Sequence, residues 1–303
     1  MKKIIQASST FLWKTPENNA VLERITRYPT HQLHTFLTNA DTMRLYQDNL
    51  VDSEVLYGTV VEVIDQSNGW SQVIVLDQAS NKHPLGYPGY VPSDTLANES
   101  FAAYDGTRRV GIIAKEGVLH LDEGRVQRIL SFGTILPVVD ETSDRYLVAT
   151  PHGVGTINKH FAAPIAAEAS EERPQRMIAL AEQFVNQPYV WAGISGSGFD
   201  CSGLMYTLHR LQGINIPRDT IEQAQQAPAV SYQEALPGDL LLFAYEEGQG
   251  EVHHVGMYLG NDQMIHSRTP GSRVMKTTIS GSPYEPELAV VARYWRESAT
   301  HDR

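Results

Sequence analysis

The chain of 303 residues carries a single cysteine, Cys201, within the run FDCSGLMYTLHRLQG. With no second thiol in the chain, an intramolecular disulfide is excluded. Asp200 and Ser202 are residue types that start helices, and the spacing that follows places Cys201, Leu204, Met205, Leu208 and Leu211 on one face before Gly213. The thiol is therefore expected in the first turn of an amphipathic helix, facing inward. There the unpaired backbone N–H groups and the positive end of the helix dipole favour a thiolate. An unpaired cysteine on an apolar face also packs as a small hydrophobe, so the helix alone does not define a nucleophile.

Thiol chemistry needs a base, and histidines follow downstream. The run GEVHHVGMYLGNDQMIHS reads as two β-strands joined by a tight Gly-Asn-Asp turn. Strand side chains alternate, so His253 and His254 point to opposite faces and only one can meet the thiol. His254 shares its face with Gly256, whose missing side chain leaves room for a close approach. His266, on the partner strand, is within the reach of such a hairpin. A cysteine, a histidine and a polar group that fixes the histidine tautomer supply nucleophile, base and orienter.

The ordered series YVWAG, GFDCSGLM, IPRDT, LPGDLLLF, HHVGMYLG and MIHS resembles the catalytic domain of NlpC-type bacterial cell-wall cysteine peptidases, a circularly rearranged relative of the papain fold. The resemblance covers residues 174 to 298. It implies Cys201 as nucleophile, His254 as base and His266 as orienter. It further implies that Tyr189, Trp191, Asp200, Ser202, Arg218, Asp219 and Thr220 line the substrate site. Each has a structural alternative: Trp191 as core, Asp200 as a helix cap, Arg218 with Asp219 as an internal ion pair.

More than half the chain lies before this domain. Residues 51 to 97 and 104 to 160 are runs of short β-forming segments punctuated by turn residues, the pattern of two small all-β barrels. Both resemble bacterial SH3-like barrels. The fold class expected is α+β, a papain-like (NlpC-type) cysteine peptidase domain preceded by two small all-β SH3-like barrels. The expected divisions are 1–103 for an N-terminal elaboration plus first barrel, 104–163 for the second barrel, 164–173 for a linker and 174–298 for the peptidase. The elaboration draws on the strand and helix pattern of residues 1 to 50, including THQLHTFLTNADTMRLYQD. Apolar spacing from Arg176 to Phe184 predicts a helix after the linker.

This architecture is similar to that of the γ-D-glutamyl-L-diamino acid endopeptidases of murein recycling. The resemblance implies hydrolysis of the bond between γ-D-glutamate and an L-diamino acid, meso-diaminopimelate or L-Lys. The substrate would be a peptidoglycan-derived peptide with a free N-terminal L-Ala, and L-Ala-γ-D-Glu would be released. In such enzymes the first barrel recognises the free amine. Here the loop DQASNKHPLGYPGYVP makes Tyr87 the aromatic contact. A buried ammonium needs a counter-charge, for which Glu54 is the candidate and Asp52 the alternative. The rival readings are a wall-remodelling DL-endopeptidase acting on intact peptidoglycan and a non-catalytic wall-binding protein.

Composition limits the partners. Twenty-four Lys and Arg stand against 35 Asp and Glu, a formal net charge of −11, which opposes binding to nucleic acid. The eleven histidines include no HExxH, and one cysteine cannot build a thiolate metal site, so neither metal nor cofactor is expected. No apolar run of roughly 18 residues occurs, and no membrane span is expected. The start MKKIIQASSTFLWK is too short in apolar residues for a signal-peptide core. The expectation is a cytoplasmic protein as given, or a secreted or periplasmic one if a native leader was removed.

Overall fold

The computed structural model describes residues 1–19, 21–22, 39–97, 108–165 and 170–296. The chain divides into two units, the first comprising Met1–Asp77, Lys82–Ile165 and Ile194–Ser197, the second Gln78–Asn81, Ala166–Gly193 and Gly198–Arg303.

The first unit holds two seven-stranded antiparallel sheets. One is built from β1 (Lys2–Ile5), β2 (Ser9–Trp13), β3 (Val51–Leu56), β4 (Val60–Ser67), β5 (Trp70–Val75), β6 (Tyr87–Pro92) and β7 (Leu96–Ala97), in the order β3-β2-β6-β5-β4-β1-β7. Asn68 and Gly69, at φ 52° and 80°, make the turn between β4 and β5, the left-handed pair that a two-residue hairpin requires. Ile5, Leu12, Val55, Val61, Val73, Val75, Tyr87 and Val91 fill the core. The N-terminal segment is thus no elaboration on a finished barrel. β1 pairs Ile4 with Val60, and β2 pairs Phe11 with Glu54, so both are barrel strands. Helix α1 (Asn39–Gln47) follows β2, while residues 30–38 of the expected pattern lie outside the described residues.

The second sheet comprises β8 (Arg109–Ile112), β9 (Glu116–Leu121), β10 (Val126–Ser131), β11 (Ile135–Glu141), β12 (Arg145–Thr150), β13 (Gly153–Asn158) and β14 (Ala162–Pro164), in the order β10-β9-β13-β12-β11-β8-β14. Tyr57, one residue beyond β3, is buried in this second core with Val110, Leu119, Leu136 and Ile157. Its hydroxyl lies 2.9 Å from His152 Nδ1, and burial pushes it up to about 12. The short strand β15 (Ile194–Ser195) completes this unit.

The second unit contains β16 (Gly198–Phe199), helices α2 (Arg173–Glu182), α3 (Cys201–Arg210) and α4 (Thr220–Gln225), and an antiparallel sheet. Its strands are β17 (Ala229–Val230), β18 (Leu240–Ala244), β19 (Val252–Gly260), β20 (Gln263–Ser267), β21 (Val274–Thr278) and β22 (Leu288–Ala292), in the order β17-β22-β18-β19-β20-β21. β18 reads LLLFA and is buried throughout, as a central strand covered on both faces must be. Helix α3 packs on α2, α4, β19 and β20. Every residue from Cys201 to His209 is consequently buried, where the apolar spacing predicted one exposed face. His209 Nδ1 there lies 2.7 Å from the Met205 carbonyl oxygen, while its Nε2 is buried without a hydrogen-bond partner among the described residues. Among the described residues no helix is long and apolar enough to cross a membrane.

Candidate active site

Cys201 is the first residue of α3. Asp200 caps the helix, its Oδ1 accepting from the Gly203 N–H at 2.6 Å. A Cβ at Gly203 would lie 2.1 Å from the Gly193 carbonyl oxygen, so glycine lets the helix start seat directly on backbone. The same Asp200 carboxylate takes a forked pair from Arg218, Nη2 to Oδ2 at 2.7 Å and Nη1 to Oδ1 at 3.2 Å. Arg218 Nη1 also donates to Ser202 Oγ at 2.9 Å. Asp200 and Ser202 are buried and Arg218 is wholly so. Arg218, expected at the substrate site, thus holds the carboxylate that caps α3. Its ion-pair partner is Asp200, while Asp219 sits at the start of α4.

The hairpin places the histidines. Asn261 and Asp262, at φ 49° and 61°, form the turn between β19 and β20. Met257 pairs with Ile265, and continuing that register sets Gly256 opposite His266, with His254 as the diagonal neighbour on the same face. A Cβ on Gly256 would fall 3.2 Å from His266 Cβ and 2.9 Å from Met264 Sδ. That glycine is what permits the approach. His254 Nε2 and His266 Nδ1 are 2.7 Å apart, and His266 Nε2 is 2.8 Å from Thr277 Oγ1 on β21. His253 turns to the other face, stacked on Tyr245 at 3.9 Å between centroids and 3.1 Å from Glu287 Oε2.

Burial sets the charge states. It pushes the Cys201 thiol up to about 11, with the Asp200 carboxylate adding to the rise; the Thr220 hydroxyl and the Ser202 and Val255 backbones pull less strongly the other way. Burial thus opposes the thiolate that the helix start favours. Cys201 is only 9% exposed, and desolvation outweighs the partial charge of the helix end. Burial also pulls His254 well below its ordinary value, helped by His266, His253 and Arg268, and brings His266 down to about 4. The resting pair is thiol and neutral imidazole. The Cys201 sulfur also lies 3.7 Å from Thr220 Oγ1, and Val255, whose backbone helps to draw the thiol down, directly follows His254.

The remaining expected residues fall into two groups. Tyr189 is buried beside Phe199, its N–H donating to the Ser272 carbonyl at 2.9 Å, while Trp191 and Asp219 are half-buried. On β3 of the first unit, Asp52 lies where the β2–β3 register shifts and Glu54 lies opposite Phe11. Asp52 is balanced by Lys14 at 3.0 Å and Lys82 at 3.2 Å. Glu54 is buried and accepts from the Ile194 N–H at 2.9 Å. Tyr87, at the start of β6, bonds Lys82 through its hydroxyl, and that ammonium lies 4.3 Å from the ring centroid.

Sequence reasoning missed three groups: Thr277, which closes the histidine chain; Tyr284, packed on both histidines; and Arg268, whose charge acts on His254, His266 and Tyr284. A β-forming Thr two residues from the partner of His266 was the only available signal for the first. Among the described residues no group of three or more His, Cys, Asp or Glu is arranged to hold a metal ion.

A helix-borne thiol packed against a sheet that carries paired histidines is the arrangement of a papain-like cysteine peptidase. The NlpC/P60 family matches residues 186–293, and the YKFC SH3b2 domain matches residues 112–163. Over its whole length the chain is similar to the gamma-D-glutamyl-L-lysine dipeptidyl-peptidase of Bacillus subtilis strain 168, 33% identical across 98% of this chain and 100% of that one. The enzyme of the same name from Bacillus cereus ATCC 10987 is 31% identical over 97% of this chain and 91% of its own. A crystal structure of an NlpC/P60 family protein from Bacillus cereus ATCC 10987 superposes with a TM-score of 0.89 at 29% identity, covering 97% of this chain and 100% of that chain. The chain belongs to the NlpC/P60 family of cysteine peptidases.

Proposed function

We propose that the chain cleaves the γ-D-glutamyl–L-diamino acid bond of peptidoglycan-derived peptides with a free N-terminal L-Ala, releasing L-Ala-γ-D-Glu. The observation that carries this reading is the full-length likeness, barrels included, to two gamma-D-glutamyl-L-lysine dipeptidyl-peptidases. A dipeptidyl-peptidase must sense the end of its substrate, and a likeness confined to the peptidase domain would not address that requirement.

In this reading His254 uses Nε2 toward His266 and presents Nδ1 to the thiol. It accepts the Cys201 proton while the sulfur attacks the γ-carbonyl carbon of D-glutamate. The Cys201 N–H and the Tyr189 hydroxyl stabilise the oxyanion. The C–N bond then breaks, His254 returns the proton to the leaving amine, and water activated by the same imidazole releases the dipeptide from the thioester. His266 serves as the orienter, accepting at Nδ1 from His254 and donating from Nε2 to Thr277. Trp191, Asp219 and Thr220 line the peptide site, and Asp200, Ser202 and Arg218 hold the helix start beneath it. Glu54 and Tyr87 recognise the substrate ammonium. Asp52 is the weaker candidate because Lys14 and Lys82 already supply its counter-charges.

The test is mass spectrometry of the products from L-Ala-γ-D-Glu-L-Lys, its meso-diaminopimelate counterpart and their N-acetylated forms. Free-amine peptides are expected to yield the dipeptide. Acetylation, or Glu54→Gln, is expected to lower kcat/KM ten-fold to a hundred-fold, equivalent to about 1.5–3 kcal/mol for one charge-assisted contact. Equal rates on free and acetylated peptides, or efficient release of fragments from intact sacculi, would refute the amine-end reading and favour wall remodelling.

A further inference from the structure

The imidazole of His254 is held at one atom by His266, and a single hydrogen bond leaves the ring free to tilt about it. Phe243 flanks the ring at 6.0 Å with planes 28° apart, and the nearer stacking partner comes from elsewhere. Tyr284, on the turn between β21 and β22, stacks on His254 with centroids 5.0 Å apart and planes 24° apart, and presents itself edge-on to His266 at 5.3 Å and 88°. It also packs on Phe243 at 5.0 Å, and it is only 8% exposed.

The turn that carries Tyr284 is itself tied down. Ser282 Oγ donates to the Ile279 carbonyl at 2.7 Å and accepts from the Tyr284 N–H at 3.2 Å, and the Gly281 N–H donates to Glu285 Oε2 at 2.7 Å. The Glu287 N–H donates to the Tyr284 carbonyl at 3.1 Å. The exposed Arg268 side chain, two residues beyond His266, draws the Tyr284 hydroxyl down, against the rise that burial imposes.

We infer that Tyr284 is a positioning residue for the thiol chemistry: its ring fixes the plane of His254, and its π-face steadies the imidazolium that forms when Cys201 gives up its proton. The inference rests on His254 being the base. An aromatic face attracts a cation more than it attracts the neutral ring, so its contribution grows as the proton moves and acts on kcat rather than on substrate binding. A residue that served only to fill the core formed by Leu241, Phe243, Met264, Ile279 and Val291 would be replaceable by any apolar side chain of similar volume.

The experiment compares Tyr284→Leu and Tyr284→Phe in the full-length protein, with thermal melts run on both and His254→Ala alongside. Tyr284→Leu is expected to lower kcat ten-fold to a hundred-fold with KM changed less than about three-fold, and Tyr284→Phe to recover most of that loss. Equal kcat in the Leu and Phe variants, whether both high or both low, would overturn the inference, since the aromatic face would then make no difference. Full activity in His254→Ala would instead show that the underlying assignment of the base had failed.

Discussion

His254 Nε2 and His266 Nδ1 stand 2.7 Å apart, and this one contact decides which nitrogen of each ring can do what. If His254 keeps Nδ1 open to accept the thiol proton, its Nε2 carries hydrogen and donates to His266. His266 must then carry its own hydrogen on Nε2, facing Thr277 at 2.8 Å. In that assignment each nitrogen has a single role, and His266 would orient the base while itself held by a hydroxyl in place of a carboxylate.

The adjacent histidines should separate cleanly under mutation. His254→Ala is expected to lower kcat by several orders of magnitude, since nucleophile and base act as a unit. His253→Ala should retain most of the rate, because His253 lies on the opposite face with Tyr245 and Glu287. His266→Ala should fall between them. Peptide hydrolysis assays on the three variants check this ordering, and an inactive His253→Ala beside an active His254→Ala would reverse the face assignment.

Asp200 and Arg218 form a buried pair, and breaking such a pair strands a charge. Arg218→Met is expected to cost about 3–5 kcal/mol of stability, measurable by urea denaturation. The double variant with Asp200→Asn should be less destabilised than Arg218→Met alone, because no uncompensated carboxylate remains. Since Asp200 raises the Cys201 thiol, Asp200→Asn alone should speed alkylation by iodoacetamide at pH 8. Slower alkylation in a folded variant would contradict that electrostatic assignment.

Acid should weaken the fold earlier than carboxylate titration alone would. His209 and His266 are brought down to about 4 by burial, and His254 is lowered in the same direction. The unfolded chain takes up these protons near pH 6.5 whereas the folded one does not. Stability is therefore complete above that pH and falls as pH drops from 6.5 toward 4. Each of His209 and His266 would contribute a loss of roughly 3 kcal/mol across that window. Chemical denaturation at pH 7, 5.5 and 4.5 measures the slope, which should flatten in His209→Gln; an unchanged slope would remove His209 from the account.

What could be read from the residues was local. Asp200 as a cap, the positive-φ turn of Asn261 and Asp262, and the alternation that separates His253 from His254 all follow from neighbours in sequence. The two-barrel, papain-like fold class was legible through ordered motifs and turn spacing. Thr277 and Tyr284 were not, because their contacts depend on the β20–β21 register and on a turn-rich loop folding back over β19. The same holds for β1 and β2, whose partners near residues 60 and 54 lie far along the chain. Arg218 was visible as a charge, but its commitment to Asp200 is a consequence of packing, as is the burial that raises the thiol.

The nucleophilic role of Cys201 is the claim on which the rest depends, and kcat/KM of Cys201→Ala on L-Ala-γ-D-Glu-L-Lys tests it most directly. The account predicts a loss of at least roughly 10³-fold, and up to about 10⁶-fold, in a protein whose thermal melt matches wild type. Turnover within ten-fold of wild type would contradict it, because no other thiol exists in the chain to form the acyl-enzyme.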